Sequence, residues 1–216
     1  AGLADYFFSK DFYEDALSLY LKQVKAKPDD AQLYEKIGYC FQENSDYESA
    51  LKYYLRAELI DRKVWTIKKI GLCLRRLGRN EEALEYYLQA GEMEPENIHT
   101  AIMTAHCYLD LKEYDHALKH YFMVEYKDPG NIKILRPIAY CFFALGRFDD
   151  SEKYYERLSE GKLNAHDLIN MGHLALCKGK KKEAIDLYKQ SIVNGEITKE
   201  KFMAVFSEDR TLLVSL

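Results

Sequence analysis

Residues 71–95 read GLCLRRLGRNEEALEYYLQAGEMEP: two short runs parted by Gly78, Arg79 and Asn80 and stopped by Pro95. Apolar positions recur three and four apart on either side of the break, which predicts two amphipathic helices joined by a tight turn. Pro95 falls beyond the second run, where its missing N–H interrupts no helical hydrogen bond. Gly71 lies within the first helix, and Ala83 and Tyr87 share a face of the second. A small residue in mid-helix lets a neighbouring helix approach to about 8 Å, and a facing tyrosine fills the space beside it.

The same arrangement returns along the chain, and a fixed period outweighs any local signal. Small residues stand at Ala4, Gly38, Gly71, Ala105, Ala139 and Gly172, with successive gaps of 34, 33, 34, 34 and 33. A second column, Ala16, Ala50, Ala83, Ala117, Ser151 and Ala184, steps by the same gaps, as does a third of Tyr20, Tyr54, Tyr87, Tyr121, Tyr155 and Tyr188. Polar or glycine breaks fall at residues 44–46, 112–114, 146–148 and 179–181, and Pro28 and Pro129 stop further second helices.

With these columns the chain resembles the tetratricopeptide-repeat family over essentially residues 1–197. The resemblance is plainest at Gly71, Ala83, Tyr87, Ala90 and Pro95, and at Tyr34, Ile37, Gly38, Phe41, Ala50, Tyr54 and Ala57. It implies an all-α fold, a right-handed α–α superhelical solenoid whose first helices line a concave surface. Ala1 falls inside a first helix, so residues 1–30 are expected as a truncated repeat, followed by full repeats at 31–63, 64–97, 98–131, 132–164 and 165–197. Ser151 replaces the usual alanine, Leu163 stands where proline is expected, and Pro137 is predicted to kink or delay the fifth repeat's first helix. Residues 198–216 are expected as a capping helix, with Phe202, Val205 and Phe206 on one face, and a tail from residue 210 packed over it.

Composition agrees with a helical protein. The 216 residues are 48% hydrophobic and 31% charged, with 4 Pro and 11 Gly, too apolar for disorder and too poor in turn residues for a β-sandwich. A formal net charge of −4 argues against nucleic-acid and membrane partners, which favour a strongly basic surface. Five cysteines fit thiols in a reducing compartment, and the chain is placed in the cytoplasm. Cys40, Cys73, Cys107 and Cys141 share one column, which predicts small packing residues.

The columns left over by packing are the candidate site. The second repeat offers Gln32, Glu35, Tyr39, Gln42 and Glu43 to the groove. Beyond it the predicted lining is Trp65, Lys68, Arg75 and Arg76, then His99 and His106, then Lys133, Arg136, Tyr140 and Phe143, then His173. Lys68, Arg75 and Arg76 beside Trp65 and Tyr39 suit carboxylates through charge-assisted hydrogen bonds, so an acidic peptide or protein partner is expected. His99 with His106, and His166 with His173, are seven residues apart, about 10.5 Å along a helix, too far for one metal ion. The Lys, Asn and Arg set with which some family members hold chaperone tails is not restored in any window. No phosphate loop, nucleophile elbow, HExxH or CxxC is present, so neither a catalytic residue nor a cofactor or metal is expected. The expected function is a non-catalytic module binding a partner segment in the groove. Two alternatives stand beside it: self-association as an assembly scaffold, and regulation of an enzyme or DNA-binding domain elsewhere in a longer chain.

Overall fold

The structure, a computed structural model, describes residues 2–159, 163–193, 198, 200–204 and 207. Among them the helices are α1 (Leu3–Ser9), α2 (Tyr13–Ala26), α3 (Ala31–Glu43), α4 (Tyr47–Ile60), α5 (Val64–Arg76), α6 (Asn80–Met93), α7 (Ile98–Asp110), α8 (Tyr114–Lys127), α9 (Leu135–Ala144), α10 (Phe148–Ser159), α11 (Ala165–Cys177) and α12 (Lys181–Val193). Asp30, Asn97 and Asn164 each accept a backbone N–H at the start of a first helix, satisfying donors the helix itself leaves orphaned. Ala1, Val205, Phe206 and residues 210–216 lie outside the described residues.

One residue in each hairpin turn takes a left-handed conformation: Asp11, Ser45, Gly78, Lys112, Gly146 and Gly179, with φ between 61° and 76°. These positions step by the same period as the core columns. At Gly78 (φ 76°) the missing Cβ removes the steric cost of that conformation, whereas Ser45 (φ 61°) bears it.

Packing groups the chain into two compact units, residues 1–111 and 112–216. Each helix from α1 to α6 packs on its successor within the first unit, and each from α8 to α11 does so within the second. The small and tyrosine columns interlock. A Cβ on Gly38 would stand 2.9 Å from the Tyr54 ring, and one on Gly71 would stand 3.0 Å from Tyr87. In the second unit a Cβ on Gly172 would be 2.3 Å from Tyr188. Tyr20, Tyr54, Tyr87, Tyr121 and Tyr155 are all buried, each contributing about 2 kcal/mol by removal of apolar area from water. Their hydroxyls need partners: Tyr20 donates to Asp5 at 2.8 Å and Tyr54 to Gln42 at 3.2 Å.

The departures from the repeat pattern have local solutions. Buried Ser151 donates its hydroxyl to the Ala139 carbonyl at 2.8 Å, so the polar atom added to an alanine column is satisfied. Pro137 delays its helix. A 3₁₀ turn over Ile132–Ile134 precedes α9, which places Pro137 in the first helical turn, where no N–H is needed. The cysteine column is buried and unbridged, and burial pushes the thiols up, to about 11 at Cys40 and about 12 at Cys73, Cys107 and Cys141. Residues 200–204 are helical, and Phe202 sets its ring edge-on to Tyr188 at 5.7 Å, beside Ala165 and Ile169. Among the described residues no helix is long and apolar enough to cross a membrane.

Three substitutions separate turn strain from interlock. Gly78→Ala should destabilise by about 1 kcal/mol, Ser45→Gly should stabilise by up to about 1 kcal/mol, and Gly71→Leu should cost about 1–3 kcal/mol through overpacking. Urea-unfolding midpoints check all three, and equal effects at Ser45 and Gly78 would contradict the turn assignment.

Candidate functional site

In the first unit the side chains not consumed by the interlock gather into a cleft of about 560 Å³, lined by Phe8, Ser9, Asp11, Tyr13, Gln32, Glu35, Lys36, Tyr39 and Trp65. The repeat brings these together because α1, α3 and α5 present equivalent faces, and the α1–α2 turn adds Asp11 and Tyr13. Four aromatic rings form its walls. Tyr39 meets Phe8 at 5.4 Å and Tyr13 at 5.8 Å between ring centroids, and Trp65 stands edge-on to core Tyr54 at 5.8 Å. Trp65 is 42% exposed, so it offers ring surface outward while anchored from below. A larger depression of about 660 Å³ on α12 is lined chiefly by lysines and acids and contains no aromatic ring.

The charges around the cleft are mostly committed. Lys36 and the Tyr20 hydroxyl donate to Asp5 and hold its carboxyl down at about 2. Glu35 accepts the Thr66 hydroxyl at 2.7 Å and lies 3.5 Å from Lys63. Lys69 places its ammonium 4.8 Å from the Tyr39 ring centroid and 5.3 Å from that of Trp65, and burial lowers its pKa.

Of the residues the sequence places in the groove, Gln32, Glu35, Tyr39 and Trp65 all line this cleft. The expected cationic patch is neutralised within the fold: Lys68 pairs with Glu94 at 2.9 Å and Arg75 with Asp110 at 2.6 Å. Arg76 is exposed and lies 6.0 Å from the Tyr47 ring. His99 is exposed on α7, and His106 is half-buried on the same helix. Burial pushes His106 down to about 4, with Arg75 and His99 adding to the shift and Asp110 opposing it.

In the second unit Lys133 is exposed on the 3₁₀ turn, and Arg136 donates to both oxygens of buried Asp167, at 2.7 and 2.9 Å. Tyr140 sits edge-on to Tyr114 at 6.3 Å. Phe143 and His173 correct the expected lining. Phe143 is 1% exposed, packed with Leu135, Ala139 and Tyr155, and His173 is fully buried, its Nδ1 2.8 Å from the Tyr188 hydroxyl. The two rings stack on each other at 6.4 Å, so each closes the other off from the surface. Among the described residues no three His, Cys, Asp or Glu side chains converge to hold a metal ion.

Phe8, Ser9, Asp11, Tyr13 and Lys36 are lining residues that the sequence pattern left out, and Lys69 stands beside the lining, against the Tyr39 and Trp65 rings. Phe8 stands one period before Gln42, so that column could have supplied it, whereas Lys69 stands one period after Lys36, which no predicted column contained. Tyr13 lies in a second helix, outside any first-helix column.

Family models for the tetratricopeptide repeat match residues 2–63 and again residues 69–97. Over those residues the chain carries tetratricopeptide repeats. No curated protein sequence matches it significantly. Among solved structures, this repeat protein is similar to PilF of Pseudomonas aeruginosa at TM-score 0.73 and 18% identity, over 95% of this chain and 94% of that one. It is similar to PilW at TM-score 0.75 and 17% identity, over 94% and 95%. A third likeness is to YrrB, at TM-score 0.67 and 16% identity, over 86% and 88%. These likenesses show an all-α tetratricopeptide-repeat fold.

The depressed His106 has a consequence for stability. Between its ordinary value of 6.5 and about 4, the unfolded ring takes a proton that the folded ring refuses, so stability falls as pH is lowered through that window. His106→Gln should flatten the fall. Urea midpoints measured from pH 7 to pH 4 check it, and an unchanged slope would contradict the burial of this imidazole.

Proposed function

We propose that this chain is a non-catalytic interaction module that seats a segment of a partner protein in the aromatic cleft of its first unit. The family supports the coarser statement, that tetratricopeptide repeats serve protein interaction. The observation that carries the finer one is the wall of Phe8, Tyr13, Tyr39 and Trp65 around about 560 Å³ of open space. Aromatic side chains that keep exposed ring surface while braced by a core are the groups that dominate peptide recognition, because binding them costs little further ordering. YrrB, described as a repeat protein with an unusual peptide-binding site, offers a parallel for such a use of the fold, and PilW is described as a type IV pilus biogenesis factor.

Peptides selected from a random library against the full chain test this. Tyr39→Ala and Trp65→Ala should each weaken the selected peptides about tenfold or more, with helicity retained. Tyr126→Ala, at a residue 88% exposed in the second unit, should leave affinity unchanged. Binding undiminished by both cleft substitutions would reject the cleft as the site.

A second reading, self-association, draws on the outer face of α1. Leu3 and Tyr6 stand one period before Ile37 and Cys40, which are fully buried, yet Leu3 is 62% and Tyr6 55% exposed. That face matches surfaces which later hairpins bury. On this reading light scattering over a concentration series shows a dimer that Tyr6→Glu abolishes, and a monomer at every concentration discards it.

A further inference from the structure

The aromatic cleft carries an excess of one charge. Asp11 is exposed in its wall, its Oδ1 accepting the Tyr13 hydroxyl at 2.6 Å, and among the described residues no Lys or Arg pairs with it. Glu35 lies 3.5 Å from Lys63, but that ammonium is nearer to Asp61, at 3.0 Å, so one cation serves two carboxylates. Lys36, the cation in the lining, is committed to Asp5 at 2.6 Å. Lys69 lies against the Tyr39 and Trp65 rings and is not among the lining residues. The cations that would have drawn an acidic partner, Lys68 and Arg75, are spent on Glu94 and Asp110.

An acidic ligand reaching the Asp11 and Glu35 side of the cleft would meet two carboxylates whose one nearby cation, Lys63, is shared with Asp61. A basic one meets complementary charge and ring faces suited to it, since a guanidinium can stack on an aromatic face and fork onto a carboxylate. Resting on the cleft as the binding site, we propose that its occupant is a basic partner segment, with an apolar side chain seated among Phe8, Tyr13, Tyr39 and Trp65 and flanking Arg or Lys residues reaching Asp11 and Glu35.

Trp65 is the chain's single tryptophan and lines the cleft, so its emission reports occupancy. Three synthetic peptides serve as probes, each with the same Leu-Phe-Leu centre flanked by arginine, glutamine or glutamate. The arginine peptide should shift Trp65 emission saturably and bind about tenfold tighter than the glutamine twin, with the glutamate twin weaker still. Asp11→Asn and Glu35→Gln should each remove roughly three- to fivefold of the arginine peptide's affinity while leaving the glutamine peptide unaffected. Asn tolerates the positive φ at position 11, so Asp11→Asn remains informative even if Glu35→Gln unfolds. A glutamate peptide that binds as tightly as the arginine one, or arginine-peptide affinity indifferent to Asp11→Asn, would overturn the charge preference and leave the cleft standing. If none of the three peptides perturbs Trp65, the cleft itself is not the site and the inference falls with it.

Discussion

The contact on which everything else depends is a tyrosine ring lying where a neighbouring helix has no side chain. At Gly38, Gly71 and Gly172 an added Cβ would fall 2.3–3.0 Å from Tyr54, Tyr87 or Tyr188, well inside normal carbon contact. This is a directional constraint, unlike general apolar burial. It fixes the rotation of α3, α5 and α11 about their axes, because turning the glycine away by one residue would drive a side chain into the ring. Once that rotation is set, the remaining faces of α3 and α5 have no freedom, and neither does what they present to solvent.

The cleft is a by-product of this registry. Tyr39 follows Gly38 directly, so the residue that makes room for Tyr54 also aims its neighbour at Phe8 and Tyr13. Trp65 rests edge-on against Tyr54, the ring that the glycine admits. Core and site therefore share a side chain. A substitution at Tyr54 that spared the fold would still be felt at Trp65, because the ring that braces the indole from below is the one held by Gly38 and by the hydrogen bond to Gln42. The site is preformed for the same reason that the hairpins stack.

A period in the sequence reports which residues are equivalent, and that sufficed for the helical repeat, the buried thiols and the delayed start of α9 at Pro137. It does not report how far a given side chain leans. His173 shares a column with Tyr39 and His106, yet its ring turns inward, where the Tyr188 hydroxyl meets its Nδ1, whereas the equivalent Tyr20 and Tyr54 give their hydroxyls to Asp5 and Gln42. Phe143 shares a column with Gln42 and Arg75, but a wholly apolar ring gains by sinking under His173 and Phe148 where an amide or guanidinium would not. Equivalence of position is a backbone property, and exposure depends on the chemistry of what occupies it. Lys69 was lost to the sequence for a related reason: its significance comes from two rings on different helices, α3 and α5, converging on one ammonium.

Charge shows the same limit most sharply. Arginines and lysines on a predicted binding face look like an invitation to anions, but the period that lines them up also lines up their acids. Lys36 with Asp5, Arg75 with Asp110 and Arg136 with Asp167 join residues 31 to 35 apart, about one repeat. The partly exposed pairs, Lys36 with Asp5 and Arg75 with Asp110, contribute little to stability, about 0–1 kcal/mol each, and screening reduces that further. Their larger effect is on recognition, since a cation already facing a carboxylate at 2.6 Å has little attraction left to offer a ligand. What a partner senses is the residue of this cancellation. Along the wall of the cleft that residue is negative, set by Asp11, with which no Lys or Arg pairs among the described residues, and by Glu35, which shares Lys63 with Asp61.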